Sequence, residues 1–253
     1  MQDLLREAME AGAWGLSAGL VDPPGSHATT DEIVALARVA ARHRGFYASH
    51  VRGEGETLLE AVDEAIRAGR EARLGVQLSH RGRLSGALAR IDAAVAEGID
   101  VMADVFPYRG ASDERDLRQA LVHPRVMIAS DGSALAPYGE LGARPDHPRS
   151  YGTFPRVLGR YAREERLLSL PQAVHKMTGL PARRLGLRDR GVIRVGAKAD
   201  LVVLDPRTVA DAATDEDPHR YPSGIEHVLV NGRFVIRHGE HTGSLPGTLI
   251  RNL

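Results

Sequence analysis

Two histidines and an aspartate carry the chemistry this sequence can offer. His50 closes the run "FYASH", His80 closes "GVQLSH", and Asp131 stands at the end of "RVMIASD". Two neutral imidazoles with a carboxylate are suitable ligands for a divalent metal such as zinc. A metal held there would polarise a carbonyl and lower the pKa of a bound water, with Asp131 moving the proton. Each residue also has a plainer use. A strand-end histidine commonly serves as a hydrogen-bonded structural group, and an aspartate before glycine shapes a turn or caps a helix. Tyr108, after Pro107, fits rim packing. His27, His43, His123, His147, His175 and the C-terminal histidines fall in loops or on helices and read as surface residues.

What could bring His50, His80 and Asp131 together is a repeating strand–helix pattern. Residues 2–11 show helical spacing and end at Gly12, and "AWGLSAGL" reads as a buried strand closed by "DPPGS". "TTDEIVALARVAARHRG" carries an N-cap at Thr29 or Thr30, early acids and a glycine stop. Strands follow at "FYASHV", "GVQLSH", "IDVMADVFPY" and "RVMIASDG", separated by amphipathic helices. Near-continuous apolar strands alternating with helices predict a helix-covered parallel sheet. In such sheets and barrels function gathers at the strands' C-terminal ends. Those ends are Ser17, His50, His80, Tyr108 and Asp131, so the polar groups share equivalent positions in successive units. Beyond Gly132 a Pro- and Gly-rich loop runs to about Thr153, then helices. From about residue 190 short β segments take over, with Asn231-Gly232 as a hairpin signal. The expected division is residues 1–189 and 190–253.

Composition sets the outer limits. Of 253 residues 43% are apolar and only 4% aromatic, the usage of an α/β protein rather than an aromatic-rich sandwich. Lys plus Arg equals Asp plus Glu at 33 each, so no global field draws the chain to nucleic acid or anionic lipid. The absence of cysteine excludes disulfides, thiolate ligands and a cysteine nucleophile in this chain. No apolar run reaches the ~18 residues of a membrane span, and the acidic amphipathic N-terminus is no signal peptide. The expected location is the cytoplasm.

The phrases around these residues resemble the amidohydrolase superfamily, specifically its N-acyl-D-amino-acid deacylases, the D-aminoacylases. "GAWGLSAGLVDPPGSHATTDEI", "YASHVRGEG", "VQLSH", "DVFPY", "VMIASDG" and "KMTGLPARRLGL" match in the family's order. "HPRSYGTFPRVLGRY" matches too; its "RSYGTFPRVL" and the closing "GEHTGSLPGTLIR" point to the subfamily, whereas "GVIRVGAKADLVVLD" occurs across the superfamily. The resemblance implies an incomplete (β/α)8 TIM barrel, about strands 4–8, plus a small C-terminal β segment of the amidohydrolase β-sandwich domain. His50, His80 and Asp131 would be metal residues, with Asp131 also the acid/base that activates water and protonates the leaving amine. Arg52, Tyr108, Arg144, Arg149 and Tyr151 would hold the substrate carboxylate and scissile carbonyl. A bidentate guanidinium suits a carboxylate, so an arginine is the expected anchor.

The chain also departs from the family. It has no His-x-His pair, begins where the fourth strand should, and runs straight through Ser112–Asp113 where relatives carry a long insertion. Gly82 replaces a frequent lysine and Gly53 an Asp or Asn. The zinc ligand set is therefore expected to be incomplete. The leading expectation is part of a zinc-dependent deacylase of N-acyl-D-amino acids, truncated or split, working with an N-terminal partner chain or self-associating through open barrel edges. The alternatives are an inactive truncated relic or binding module, and, ranked lower, a hydrolase of cyclic amides such as hydantoins.

Overall fold

The computed structural model describes residues 1–53, 55–79, 85–108, 114–133, 136–142 and 146–252. The chain divides into two units. One comprises Met1–Val105, Arg109–Val126 and Ile250–Leu253, the other Phe106–Tyr108 and Met127–Leu249.

The first unit alternates strand and helix. Its elements are α1 (Gln2–Glu10), β1 (Gly15–Gly19), α2 (Thr30–Arg42), β2 (Phe46–His50), α3 (Leu58–Ala72), β3 (Val76–Ser79), α4 (Ser85–Ala96), β4 (Val101–Val105) and α5 (Glu114–Val122). The chain passes to the second unit within β5 (Val126–Ile128). The sheet is parallel from β1 through β4, in the order of the sequence, as the alternation predicts. Thr29 caps α2 by accepting from the Glu32 N–H, leaving Asp31 and Glu32 in the first turn where the helix dipole favours acids.

The packing explains the small residues. Ala37, Ala40 and Ala68 are fully buried, and at Gly69 a Cβ would stand 2.3 Å from Val76 Cγ2, so α3 lies directly on β3. Val62, Leu78, Ile91 and Val101 complete this core; each such side chain contributes ~1.5–3 kcal/mol by leaving water.

The second unit continues with α6 (Gly139–Gly142), α7 (Arg149–Arg156), a π-helical stretch Val157–Glu164, α8 (Leu170–Met177) and α9 (Gly179–Arg184). An antiparallel sheet follows, ordered β6 (Leu201–Leu204), β7 (Ile225–Val230), β8 (Arg233–Arg237) and β9 (Glu240–His241). Asn231 and Gly232 both adopt positive φ, 48° and 78°, and form the tight turn between β7 and β8. Ser169 and Gln172 build a reciprocal capping box on α8, with Pro171 in its first turn.

Two local expectations are corrected. The strand read at "RVMIASDG" ends at Ile128, so Asp131 lies three residues beyond it with φ 48°. Ser130, Asp131 and Gly132 turn instead of extending, because the Gly132 N–H is taken by Ser130 Oγ at 3.2 Å. The loop expected to reach Thr153 gives way to α7 at Arg149, so Arg149 and Tyr151 are helical. Helix starts at this point because the His147 and Pro148 carbonyls accept the N–H groups of Ser150, Tyr151 and Gly152.

Candidate active site

In the first unit the parallel register aligns Gly19, His50, Ser79 and Asp104 across four successive strands. His50 is the last residue of β2, and its carbonyl accepts the Leu20 N–H at 3.0 Å. Its half-buried imidazole has no hydrogen-bond partner among the described residues. Ser79 Oγ and the Gln77 amide donate to Asp104 at 3.2 and 2.6 Å, so three polar side chains meet at the C-terminal ends of β3 and β4. Sequence reasoning passed over Asp104; the signal was a lone acid inside the apolar run "VMADVF". His80 lies outside the described residues.

Arg52, two residues past β2, is held on several sides. Its Nε and Nη2 donate to Glu64 at 2.7 and 3.1 Å, and Nη1 and Nη2 donate to the carbonyls of Ser26 and Ala28 at 3.0 and 2.8 Å. Thr30 Oγ1 donates to the same carboxylate at 2.6 Å. Burial by itself would raise the Glu64 carboxyl, but hydrogen bonds from Arg52 and Thr30 and the charges of Arg52 and Arg67 outweigh it and hold it below the usual range. The guanidinium thus ties the segment after β1 to the segment after β2. Gly53 beside it has a steric reason: a Cβ would stand 2.6 Å from Thr57 Oγ1 and 2.7 Å from the Thr57 carbonyl oxygen.

The second unit assembles the other predicted residues. Arg149 Nη1 stands 2.9 Å from Asp131 Oδ2, with both side chains partly open to solvent. The same guanidinium lies over the Phe106 ring, 5.6 Å from its centroid. The Asp131 turn is tied to the start of α7: Ser150 Oγ accepts the Ser133 N–H at 3.0 Å and donates to Asp146 at 2.8 Å. A Cβ on Gly132 would stand 2.7 Å from Ser150 Cα, so the two segments touch backbone to backbone.

Tyr108 is buried and donates to Asp211 Oδ2 at 3.3 Å; Arg156 Nη1 donates to the same oxygen at 2.9 Å. Burial, reinforced by the Asp211 charge, raises the Tyr108 phenol well above its ordinary value, so it acts as a neutral donor. His147 meets the Tyr108 ring edge-on at 5.7 Å, and its Nδ1 accepts the Arg149 N–H at 3.1 Å. His147 is therefore a packed residue, not a surface one. His123 is likewise packed: it stands 3.1 Å from Asp92 on α4 with 12% of its side chain exposed, and its Nδ1 accepts the Arg125 N–H at 3.2 Å. Tyr151 stacks on His219 at 5.7 Å and meets Tyr221 edge-on. Arg144 lies outside the described residues.

The structure therefore brings Asp131 and Arg149 together, and Tyr108 with His147, within one unit. His50 and Arg52 belong to the other. Among the described residues no group of three or more His, Cys, Asp or Glu could hold a metal ion. The imidazole of His50, without a hydrogen-bond partner among the described residues, suits one ligand position, and the donor type of His80 suits a second.

Comparison with known proteins supplies the wider frame. A profile described as an amidohydrolase family matches residues 125–236. The chain is 37% identical to N-acyl-D-glutamate deacylase and 38% identical to D-aminoacylase, both of Alcaligenes xylosoxydans xylosoxydans; each match covers 99% of this chain. The chain spans 63% and 64% of those relatives' lengths. The first match runs over 317 aligned positions against 253 residues here, so the relative carries residues inside the matched span that lack a counterpart. The insertion expected to be missing at Ser112–Asp113 falls outside the described residues. The structure of N-acyl-D-glutamate deacylase from Bordetella bronchiseptica, complexed with zinc and a phosphonate inhibitor that mimics the tetrahedral intermediate, superposes with a TM-score of 0.85 at 36% identity. That superposition covers 92% of this chain and 62% of the other.

Proposed function

Because the chain belongs to the amidohydrolase superfamily, in its D-aminoacylase family, we propose that it hydrolyses the amide bond of N-acyl-D-amino acids, giving a carboxylate and a D-amino acid. On this reading β1–β5 correspond to about strands 4–8 of a (β/α)8 barrel, and residues 190–253 to the accompanying β subdomain. The observation that carries the reading is the 2.9 Å pairing of Asp131 with Arg149. It sets a group able to move protons beside a fork able to grip a carboxylate.

His50 and His80 would hold a zinc ion, with further ligands from outside the described residues. Bound zinc would polarise the scissile carbonyl and ease deprotonation of water. Asp131 accepts the proton of the attacking water on its carboxylate and returns it to the leaving amine. Arg149 takes the substrate carboxylate, and that exchange releases Asp131 from its ion pair. Arg144 and Tyr151 flank the substrate on this reading. Tyr108 reaches it only by exchanging its bond to Asp211. Arg52 acts at a distance by holding the segment at 26–28. An N-terminal partner chain, or a second copy pairing along β1, would supply what the described residues lack.

The test is turnover by the zinc-supplemented chain of N-acetyl-D-glutamate, N-acetyl-D-aspartate and N-acetyl-D-methionine, with the L-enantiomers and a hydantoin alongside. Release of free D-amino acids, with the L-compounds untouched, is the expected result. No hydrolysis of any D-substrate, or turnover of the hydantoin alone, would overturn the proposal.

A further inference from the structure

We infer that Asp211, on the segment between β6 and β7, is a positioning residue for the Arg149–Asp131 pair. It acts by fixing Tyr108 and Arg156 beneath the first turn of α7. The inference rests on the proposed function only where it names Arg149 as the substrate anchor.

One carboxylate oxygen, Asp211 Oδ2, accepts both the Tyr108 phenol at 3.3 Å and the Arg156 guanidinium at 2.9 Å. The Asp211 and Arg156 side chains are only 17% and 16% exposed, so the pair is screened little by water. Arg156 also lies over the Tyr108 ring, 5.0 Å from its centroid, which clamps the ring from a second direction.

Two contacts pass this placement to α7. Gly152 presses on the pair so closely that a Cβ would stand 1.9 Å from Tyr108 Oη and 2.9 Å from Asp211 Cβ. The Tyr108 ring meets His147, whose Nδ1 accepts the backbone N–H of Arg149. Arg149 in turn reaches Asp131. The row Asp211, Tyr108, His147, Arg149, Asp131 is continuous, and every member lies in the second unit. Asp211 is 103 residues from Tyr108 in the chain, so a segment remote in sequence fixes the angle at which the arginine is presented.

Nitration of tyrosine by tetranitromethane, mapped by peptide mass, tests this without requiring turnover. In the unaltered chain Tyr138 and Tyr221, 65% and 60% exposed, should react freely, while Tyr47, Tyr108 and Tyr161 stay protected. Asp211→Ala is expected to speed nitration of Tyr108 by at least about tenfold, the factor carried by one lost charge-assisted hydrogen bond. Tyr47 and Tyr161 should remain protected. Asp211→Asn, which keeps an oxygen acceptor, should restore most of the protection. If Asp211→Ala does not fold, Gly152→Ala carries the same expectation, because its methyl group displaces the phenol. In turnover, Asp211→Ala should raise KM with little change in kcat. Tyr108 as slow to react in the variants as in the unaltered chain would overturn the inference. So would Tyr47 and Tyr161 opening together with it, since that marks general unfolding. An inactive parent chain would bear on the proposed function alone.

Discussion

Asp131 and Arg149 form an ion pair 2.9 Å long between a left-handed turn after β5 and the first turn of α7. On the proposed reading, the carboxylate that moves protons is thereby neutralised until another anion claims the arginine. The pair is partly open to solvent, so its own stabilisation is modest and the exchange costs little.

The first expectation concerns that arginine. Arg149→Ala should raise KM for an N-acyl-D-amino acid roughly 100-fold, the scale of losing a charge-assisted bidentate contact, with a smaller loss in kcat. Arg149→Lys should recover only part, because a point charge does not reproduce the fork. Steady-state kinetics would show this, and an unchanged KM would remove Arg149 from the anchoring role.

Glu64 is expected to set a share of acid stability. Its folded carboxyl is held below its unfolded value, so its contribution is full above the unfolded pKa of ~4.3 and fades as pH falls through the folded value. Glu64→Gln should lower stability at pH 7 by about 2 kcal/mol, since it leaves Arg52 half-buried without its charge partner. It should also flatten the acid limb. Denaturant titrations at pH 3 and pH 7 measure both effects.

Lys176 should give a slope of opposite origin. Burial brings its ammonium down to about 8, below the ~10.4 of the unfolded chain. Between those values the unfolded state binds the extra proton, so stability should rise with pH, by up to ~1.4 kcal/mol per unit. Lys176→Met should abolish that rise. Thermal melts from pH 7.5 to pH 10 would detect it, and a flat profile in the unaltered chain would contradict the burial argument.

Association is the fourth expectation. β1 pairs with β2 alone among the described residues and leaves its other edge as a template for strand pairing. Sedimentation velocity should show a concentration-dependent rise in mass, and a clean monomer across the range would count against it.

Local features were legible in the sequence and long-range partners were not. The Thr29 cap, the Asn231-Gly232 turn and the end of β2 at His50 follow from neighbouring residues, so spacing alone revealed them. The first turn of the helix carrying Arg149 was hidden because it lies in a Pro- and Gly-rich stretch that reads as loop; close packing of Gly152 against Tyr108 overrides that local signal. The ion pair of Arg52 was not legible, because nothing in its neighbourhood discloses Glu64, twelve residues on and nearly two turns inside α3. The bond from Tyr108 to Asp211 spans 103 residues, beyond any periodicity argument. Asp104 was visible as an acid in an apolar strand, but its meaning came only with the register that sets it beside Ser79 and in line with His50.

The measurement that bears most directly on the proposed chemistry is a zinc titration of the purified chain, with His50→Ala and His80→Ala in parallel. The expected result is one site per chain whose affinity falls at least about tenfold in each variant, as loss of a protein ligand requires. Binding indifferent to both histidines would contradict the assignment of a metal to the ends of these strands.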